Sequence, residues 1–338
     1  MRARWLIWIV LAAALWACGK NPVQEPVATG NVRILVQTED VTKSSLSEGN
    51  AISDVLVLLV KNGQLATDPF YQWVSVGSSF IEVKCGHLTV GSYDIYAYAN
   101  TGHTDWLYGG VQGVEKMLTK GSYFQDVADR LMNELTGTAT PGVPSEVMLL
   151  TGHSTLLVDI IDNFATVTLT RPVMRFNVLV NNHSNVGISL TSLVFSEFNP
   201  SKGYLLPHVD GTGSMVLPPD ITYRSLPEFS GPLNIAPDTG VVAYSTLMYE
   251  GRASSYTMQV TVEMEGMSEP RSFESPAILQ VIDAETSLPT PLTEMKRNQD
   301  LTVVLNVYYQ ELEGTMTVEV DNQYWTTTGG HTSSHEFN

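Results

Sequence analysis

Asn31-Val32-Arg33-Ile34-Leu35-Val36-Gln37-Thr38 decides the fold class. Val32, Ile34 and Val36 fall on one face and Arg33 and Gln37 on the other, the two-residue period of a strand with one side buried. The same signal recurs along the chain. Residues 55–60 are an unbroken apolar run, which predicts a strand buried on both faces. Asn62-Gly63 supplies a tight turn after it. Residues 80–85 alternate and place Cys85 as a small buried hydrophobe. Residues 93–99 alternate too. Further strands are expected at 166–170, 173–180, 190–195, 241–248, 256–264, 278–282, 301–309 and 316–320, separated by turn signals at the spacing of a β-sandwich. Pro172 does not suit a central strand, so a junction between two domains is expected near Arg171.

One segment reads as helical. Phe124, Val127, Ala128, Leu131, Met132 and Leu135 form a single apolar stripe, with Ser122 and Gln125 as a capping box and Gly137 as the stop. A short helix covering the N-terminal sheet is the expectation.

Composition agrees with a β-rich chain and removes several function classes. Of 338 residues, 43% are hydrophobic and 16% charged, which excludes a disordered chain and a long coiled coil. Thirty-five acidic residues against 18 basic ones give a net charge of −17, a surface that repels phosphate, so no nucleic-acid partner is expected. The two cysteines, Cys18 and Cys85, cannot build a disulfide scaffold or a cysteine-rich zinc site.

The N-terminus reads as an export signal. Arg2 and Arg4 precede an apolar run over residues 5–15, too short to span a bilayer comfortably. Leu15-Trp16-Ala17-Cys18-Gly19 follows, and it resembles a bacterial lipobox, in which the cysteine thiol receives a lipid and the chain is cut just before it. Cleavage there removes Arg2 and Arg4 and takes the net charge from −17 to −19. Residues 1–17 are then the signal peptide and 18–30 a flexible tether.

A search for chemistry finds no catalytic set. There is no Gly-x-Ser-x-Gly elbow, phosphate loop, dinucleotide fingerprint or EF-hand loop. His331, His335 and Glu336 have metal-like spacing but lie in a tail rich in Gly, Thr and Ser, read as solvated, so neither metal nor cofactor is expected. Asp159 with Asp162, and Glu263 with Glu265, are neighbours in sequence, which does not set the separation that glycosidase carboxylates need. Trp73, Trp106, Tyr108, Tyr308, Tyr309, Tyr324 and Trp325 are the aromatics available for a sugar platform, most of them at alternating strand positions. An exported hydrolase has no motif behind it.

Six segments together resemble the fimbrillin family, subunits of type V pili of Gram-negative gut and oral bacteria. They are the lipobox at Cys18; residues 32–36 followed by Ile52-Ser53-Asp54-Val55-Leu56-Val57 and Lys61-Asn62-Gly63; Gly91-Ser92-Tyr93-Asp94-Ile95-Tyr96-Ala97-Tyr98-Ala99-Asn100; Leu149-Leu150-Thr151-Gly152, where the family often has a turn; Leu169-Thr170-Arg171-Pro172-Val173; and Lys296-Arg297-Asn298. The resemblance implies a mainly β chain of two transthyretin-like β-sandwich domains, here 31–171 and 172–338, and no catalytic activity. It implies an outer-membrane lipoprotein at the cell surface, anchored through Cys18. Its partners would be other fimbrial subunits, in a homo- or hetero-polymer, and a ligand on a host or bacterial surface.

The resemblance also implies assembly by strand exchange. Val32, Ile34 and Val36 would fill a groove, a protease would cut within residues 39–54, where Lys43 is the basic residue, and a strand from the next subunit would take the vacated place. That donor would be the C-terminal segment carrying Met316, Val318 and Val320. Residues 326–338 are polar and hold two glycines, which suits a tip, accessory or anchoring subunit as well as a shaft subunit. The other reading is a surface glycan-binding lipoprotein of a polysaccharide-uptake system.

Overall fold

The computed structural model describes residues 27–38, 52–101, 118–124, 134–136, 149–226, 229, 231–252, 256–266, 268–274, 280–282, 289–310, 313–324 and 331–337. Among them there is no helix, and fourteen strands have seven or more residues. In chain order these are β1 (Thr29–Thr38), β2 (Ile52–Lys61), β3 (Phe70–Ser78), β4 (Phe80–Thr89), β5 (Gly91–Ala99), β6 (Leu150–Val158), β7 (Asn163–Leu169), β8 (Val173–Asn182), β9 (Ile188–Ser196), β10 (Thr239–Tyr249), β11 (Thr257–Met264), β12 (Gln299–Gln310), β13 (Glu313–Tyr324) and β14 (His331–Phe337).

The first half is a sandwich. One sheet has the order β4-β1-β7; the other runs β2-β5-β6, with β3 also paired to β2. Side chains alternate inward and outward along β1, β4 and β7, and the inward set meets Val55, Val57, Leu59, Ile95 and Ala97 of the facing sheet in one core. Strand β2 is buried at nine successive positions, as its unbroken apolar run predicts. Leu56, Leu58 and Val60 point to its other face, where Leu118, Phe124, Leu205 and Leu206 cover them.

That cover differs from the expected helix. Residues 122–124 form a bridge and a bend, and Phe124 stacks on Tyr96 with ring centroids 4.5 Å apart. Leu135 lies in the strand Glu134–Thr136, paired with Gly203. Neither end of the apolar stripe is helical; the middle, residues 125–133, lies outside the described residues. Tertiary pairing overrides the local helical spacing at these ends.

The second half repeats the plan. A five-stranded sheet of order β10-β8-β12-β13-β14 faces a four-stranded sheet, Leu233–Ile235, β9, β11 and Arg271–Glu274. Its core holds Phe176, Phe195, Phe198 and Tyr256, whose rings meet mostly edge to face. Residues 331–337, expected as part of a solvated tail, are instead a strand paired antiparallel to β13.

Four segments singled out in the sequence meet two by two and fix the geometry. Ser53 N–H donates to Asn100 Oδ1 at 2.8 Å, and Asn100 N–H to Asp54 O at 3.0 Å. Thr101 N–H and its hydroxyl both donate to the fully buried Asp54 carboxylate. Just before β8, the buried Arg171 guanidinium donates to Asn298 Oδ1 at 2.8 Å, and Asn298 N–H donates to Val173 O. Beside it Arg297 pairs with Glu250 and donates to the carbonyls of Tyr204, Leu205 and Leu206.

Leu149-Leu150-Thr151-Gly152 opens strand β6 and is not a turn. A Cβ at Gly152 would lie 2.4 Å from Thr168 O, so glycine there allows β6 and β7 to touch backbone to backbone.

Candidate functional site: a strand held in a mixed slot

Strand β1 lies between two walls. On one side it pairs antiparallel with β4, from Thr29↔Thr89 to Gln37↔Phe80. On the other it pairs parallel with β7, from Val32↔Asn163 to Thr38↔Leu169. Its backbone is therefore satisfied on both edges, and lifting it out would expose two rows of unpaired N–H and C=O groups at once.

Val32, Ile34 and Val36, expected from the sequence to fill a groove, are each completely buried. They lie against Ile81, Val83, Leu88, Ala165, Val167 and Leu169 of the walls and the facing sheet beyond. Burying each such side chain stabilises by about 1.5–3 kcal/mol, so the three together are the main grip on β1 beyond its ladder.

A β-bulge interrupts the antiparallel wall between Val32 and Arg33, where Gly86 and Lys84 are the successive partners and Cys85 is the extra residue. Gly86 takes φ 72°, the left-handed conformation that the bulge requires. Cys85 is buried, and loss of hydration pushes its thiol up to about 12.

Polar ties along β1 are few among the described residues. Asn31 Nδ2 donates to Asp162 Oδ1 at 3.2 Å, and Asn163 Nδ2 to Asn31 O at 3.3 Å. Arg33 and Glu82 approach to 4.0 Å, both well exposed, an arrangement that contributes little. At its far end Thr38 N–H donates to Ser79 O at 3.0 Å.

The remaining expectations fall in different places. Cys18 and Lys43 lie outside the described residues. Met316, Val318 and Val320 sit on β13 at register positions opposite Val307, Leu305 and Val303 of β12 and opposite Phe337, His335 and Ser333 of β14. Asp159 and Asp162 are exposed in the β6–β7 connection; Glu263 and Glu265 lie at the end of β11 and just beyond it.

The aromatics do not converge. Trp73 is exposed on β3, edge to face with Tyr71. Tyr308 stacks on His183 in the other sandwich. Trp106, Tyr108 and Trp325 lie outside the described residues, and Tyr309 and Tyr324 are placed only as positions on β12 and β13. A cavity of about 530 Å³ at the junction is lined by His208, Glu250, Glu294, Lys296 and Arg297 among others, with no aromatic ring in its wall apart from that histidine.

The strands of the walls are expected from the sequence, at 80–85 and 166–170; their pairing with β1 is not. Their signals are the Lys84-Cys85-Gly86 bulge and the Asn163 cap, both local, but their pairing with β1 joins residues more than 40 and 130 positions away.

No protein-family model matches the sequence. No curated protein matches it either. Solved structures do match in shape. A protein assigned to cell adhesion from Parabacteroides distasonis superposes with a TM-score of 0.56 at 12% identity, covering 90% of this chain and 96% of that one. The tip fimbrial protein Mfa3 from Porphyromonas gingivalis, C-terminally truncated, gives 0.53 at 11% identity, covering 88% and 100%. The fimbrilin FimA from Porphyromonas gingivalis W83 gives 0.51 at 10% identity, covering 89% and 98%. The class is thus a mainly β chain of two sandwiches with the fold of these fimbrial and adhesion proteins. At these identities it is the fold that is shared.

Proposed function

We propose that this chain is a structural subunit of a cell-surface fimbria serving adhesion, and not an enzyme. It is exported as a lipoprotein, acylated at Cys18, held at the outer membrane and assembled with other subunits by protease-triggered strand exchange. The domains divide at Arg171, giving 31–171 and 172–338. A tip, accessory or anchor position suits it at least as well as the shaft. The observation that carries this reading is β1 itself, a first strand seated between two walls and held chiefly by Val32, Ile34 and Val36. Cutting within residues 39–54, at Lys43, frees it covalently. A neighbour's strand then restores both ladders and refills the apolar positions, which is β-augmentation from a second chain.

In this scheme Met316, Val318 and Val320 are the donor anchors. Strand β13 is paired with β12 and β14 within the chain, so donation requires it to leave both.

The test is a lock. Gln37 and Phe80 face each other across β1 and β4, and Gln37→Cys with Phe80→Cys joins the strand to its wall. Trypsin should trim the unlocked protein near Lys43 and yield polymers visible by sedimentation and electron microscopy. The oxidised double variant should be nicked but stay monomeric until reduced. Polymers of equal length from the oxidised variant would refute release of β1.

A further inference from the structure

Six of the larger exposed apolar side chains among the described residues gather at one pole of the first sandwich. Leu157, Ile160, Ile161 and Phe164 are 73%, 68%, 66% and 53% exposed, and Val27 and Val90 join them. The pole is the β6–β7 connection, and the chain enters there: a Cβ at Gly30 would lie 1.8 Å from Asp159 O and 2.9 Å from Ile161 O. Exposed apolar side chains normally occur singly on a soluble surface; a cluster this size marks a contact.

The connection is built to hold that shape. The buried Asn163 takes the backbone polar groups in hand: its Nδ2 donates to the carbonyls of Asp159 and Ile161, and its Oδ1 accepts from Asp159 N–H at 2.9 Å. Asp159 Oδ1 accepts from Ile160 N–H at 2.7 Å, and Asp162 Oδ1 accepts from Asn31. Both carboxylates are thus engaged with the protein, and the isoleucines between them project outward. Satisfied backbone groups are what an apolar medium demands. On the adjoining sheet face Arg33, which approaches Glu82 at 4.0 Å, is the register neighbour of both Phe164 and Lys84, and both cations are exposed. Basic side chains with apolar stems beside an exposed aromatic are the pattern of a protein edge lying in a headgroup layer.

The occupant follows from chain length. Val27 lies nine positions after Cys18, a reach of at most about 32 Å when extended. Acyl chains on Cys18 therefore keep the entry of the chain into this pole within that reach of the bilayer. We infer that Leu157, Ile160, Ile161 and Phe164 form a membrane-contacting tip that seats in the headgroup–acyl boundary and sets the orientation of the anchored subunit. The inference rests on the proposed acylation of Cys18.

The test uses the full lipidated chain in vesicles of phosphatidylethanolamine and phosphatidylglycerol, with an environment-sensitive fluorophore on Ile160→Cys or, for reference, on Val242→Cys in the second sandwich. Cys85 is buried, so the new thiol takes the label. Mass analysis of the N-terminal peptide and flotation report anchoring separately. The expected result is a blue-shifted Ile160→Cys probe, lost to aqueous iodide and quenched by spin-labelled lipid, with the Val242→Cys probe open to iodide. A floating, acylated protein whose two probes are equally open to iodide overturns the tip and leaves the anchor standing. A probe shielded from iodide yet untouched by lipid quencher means a protein partner covers the pole, which also overturns it. An unacylated chain that fails to float overturns the anchor, and the tip with it.

Discussion

Strands β1 and β8 occupy the same place in their two sandwiches and are held by different means. Each is central, antiparallel to one neighbour and parallel to a late strand of its own half: β4 and β7 for β1, β10 and β12 for β8. Strand β8 is stitched sideways by polar side chains. Arg175 pairs with Asp300, Asn177 donates to Asp300 and accepts from Ser245, and Asn181 donates to Asn306. Its parallel neighbour β12 is in turn covered by β13 and β14, and Arg171 pins the chain just before it. Strand β1 has its ladder, three aliphatic side chains, ties from asparagine at its start and Thr38 on Ser79 O at its end. Under the proposed exchange, the difference would separate a permanent strand from a replaceable one: apolar burial can be remade with any strand of the right spacing, whereas a set of matched polar pairs cannot.

The largest expected effect is on Cys85, which lies in the bulge beside β1. With the strand in place, burial holds the thiol up to about 12. Trimming near Lys43 and removal of β1 should return it towards its ordinary value, raising its labelling rate at pH 8 by about a thousandfold in a Cys18→Ser chain. A rate unchanged by trimming would mean that β1 never leaves.

Next in size are buried charges. Ile34→Asp and Val178→Asp each place a carboxylate in a dry core and should cost about 3–5 kcal/mol in denaturant unfolding. Ile34→Asp should lower the unfolding midpoint of the first sandwich while leaving the second nearly unchanged; Val178→Asp should do the reverse. Equal loss in both would make the two cores one cooperative unit and dissolve the contrast.

Arg175→Ala should cost about 1–2 kcal/mol by the same measurement, since it strips a partner from the half-buried Asp300. Arg33→Ala, at an exposed 4.0 Å pair, should cost under about 0.5 kcal/mol. Similar values for the two would remove the electrostatic half of the argument. The last is a pH effect at the same thiol. The Cys85 thiol ionises near 9 when the chain is unfolded and near 12 when folded. The folded state therefore holds the proton longer, and this contribution is complete below pH 9 and declines from 9 to 12. Cys85→Ala should flatten that part of the stability profile.

Strands whose burial has a simple period are legible in the sequence: β1, β5 and β7 by alternation, β2 by its unbroken apolar run. Strand β6 is not, because Gly152, His153 and Ser154 break any alternation and Gly152 is selected for contact with Thr168. Nor is β3, where Gln72 and Trp73 are outward neighbours of a strand that only its pairing with β2 defines. The stripe from Phe124 to Leu135 has helical spacing, yet its two ends are drawn out by partners more than 50 residues away, Gly63 for Phe124 and Gly203 for Leu135. Of the slot, the sequence shows the strand that fills it. The walls depend on which strands lie next to it, and no local pattern encodes that. Ser53-Asp54 with Asn100, and Arg171 with Asn298, stand out in the sequence as separate marks; in space they are two clasps.

The mixed slot has a consequence for direction of threading. A strand laid in backwards would simply exchange its parallel and antiparallel walls, and the two kinds of ladder differ little in strength per residue. Backbone pairing alone therefore does not dictate which way an incoming strand must run. That choice falls to the side-chain spacing and to the irregular step at Cys85, which acts as a key cut at one end of the channel.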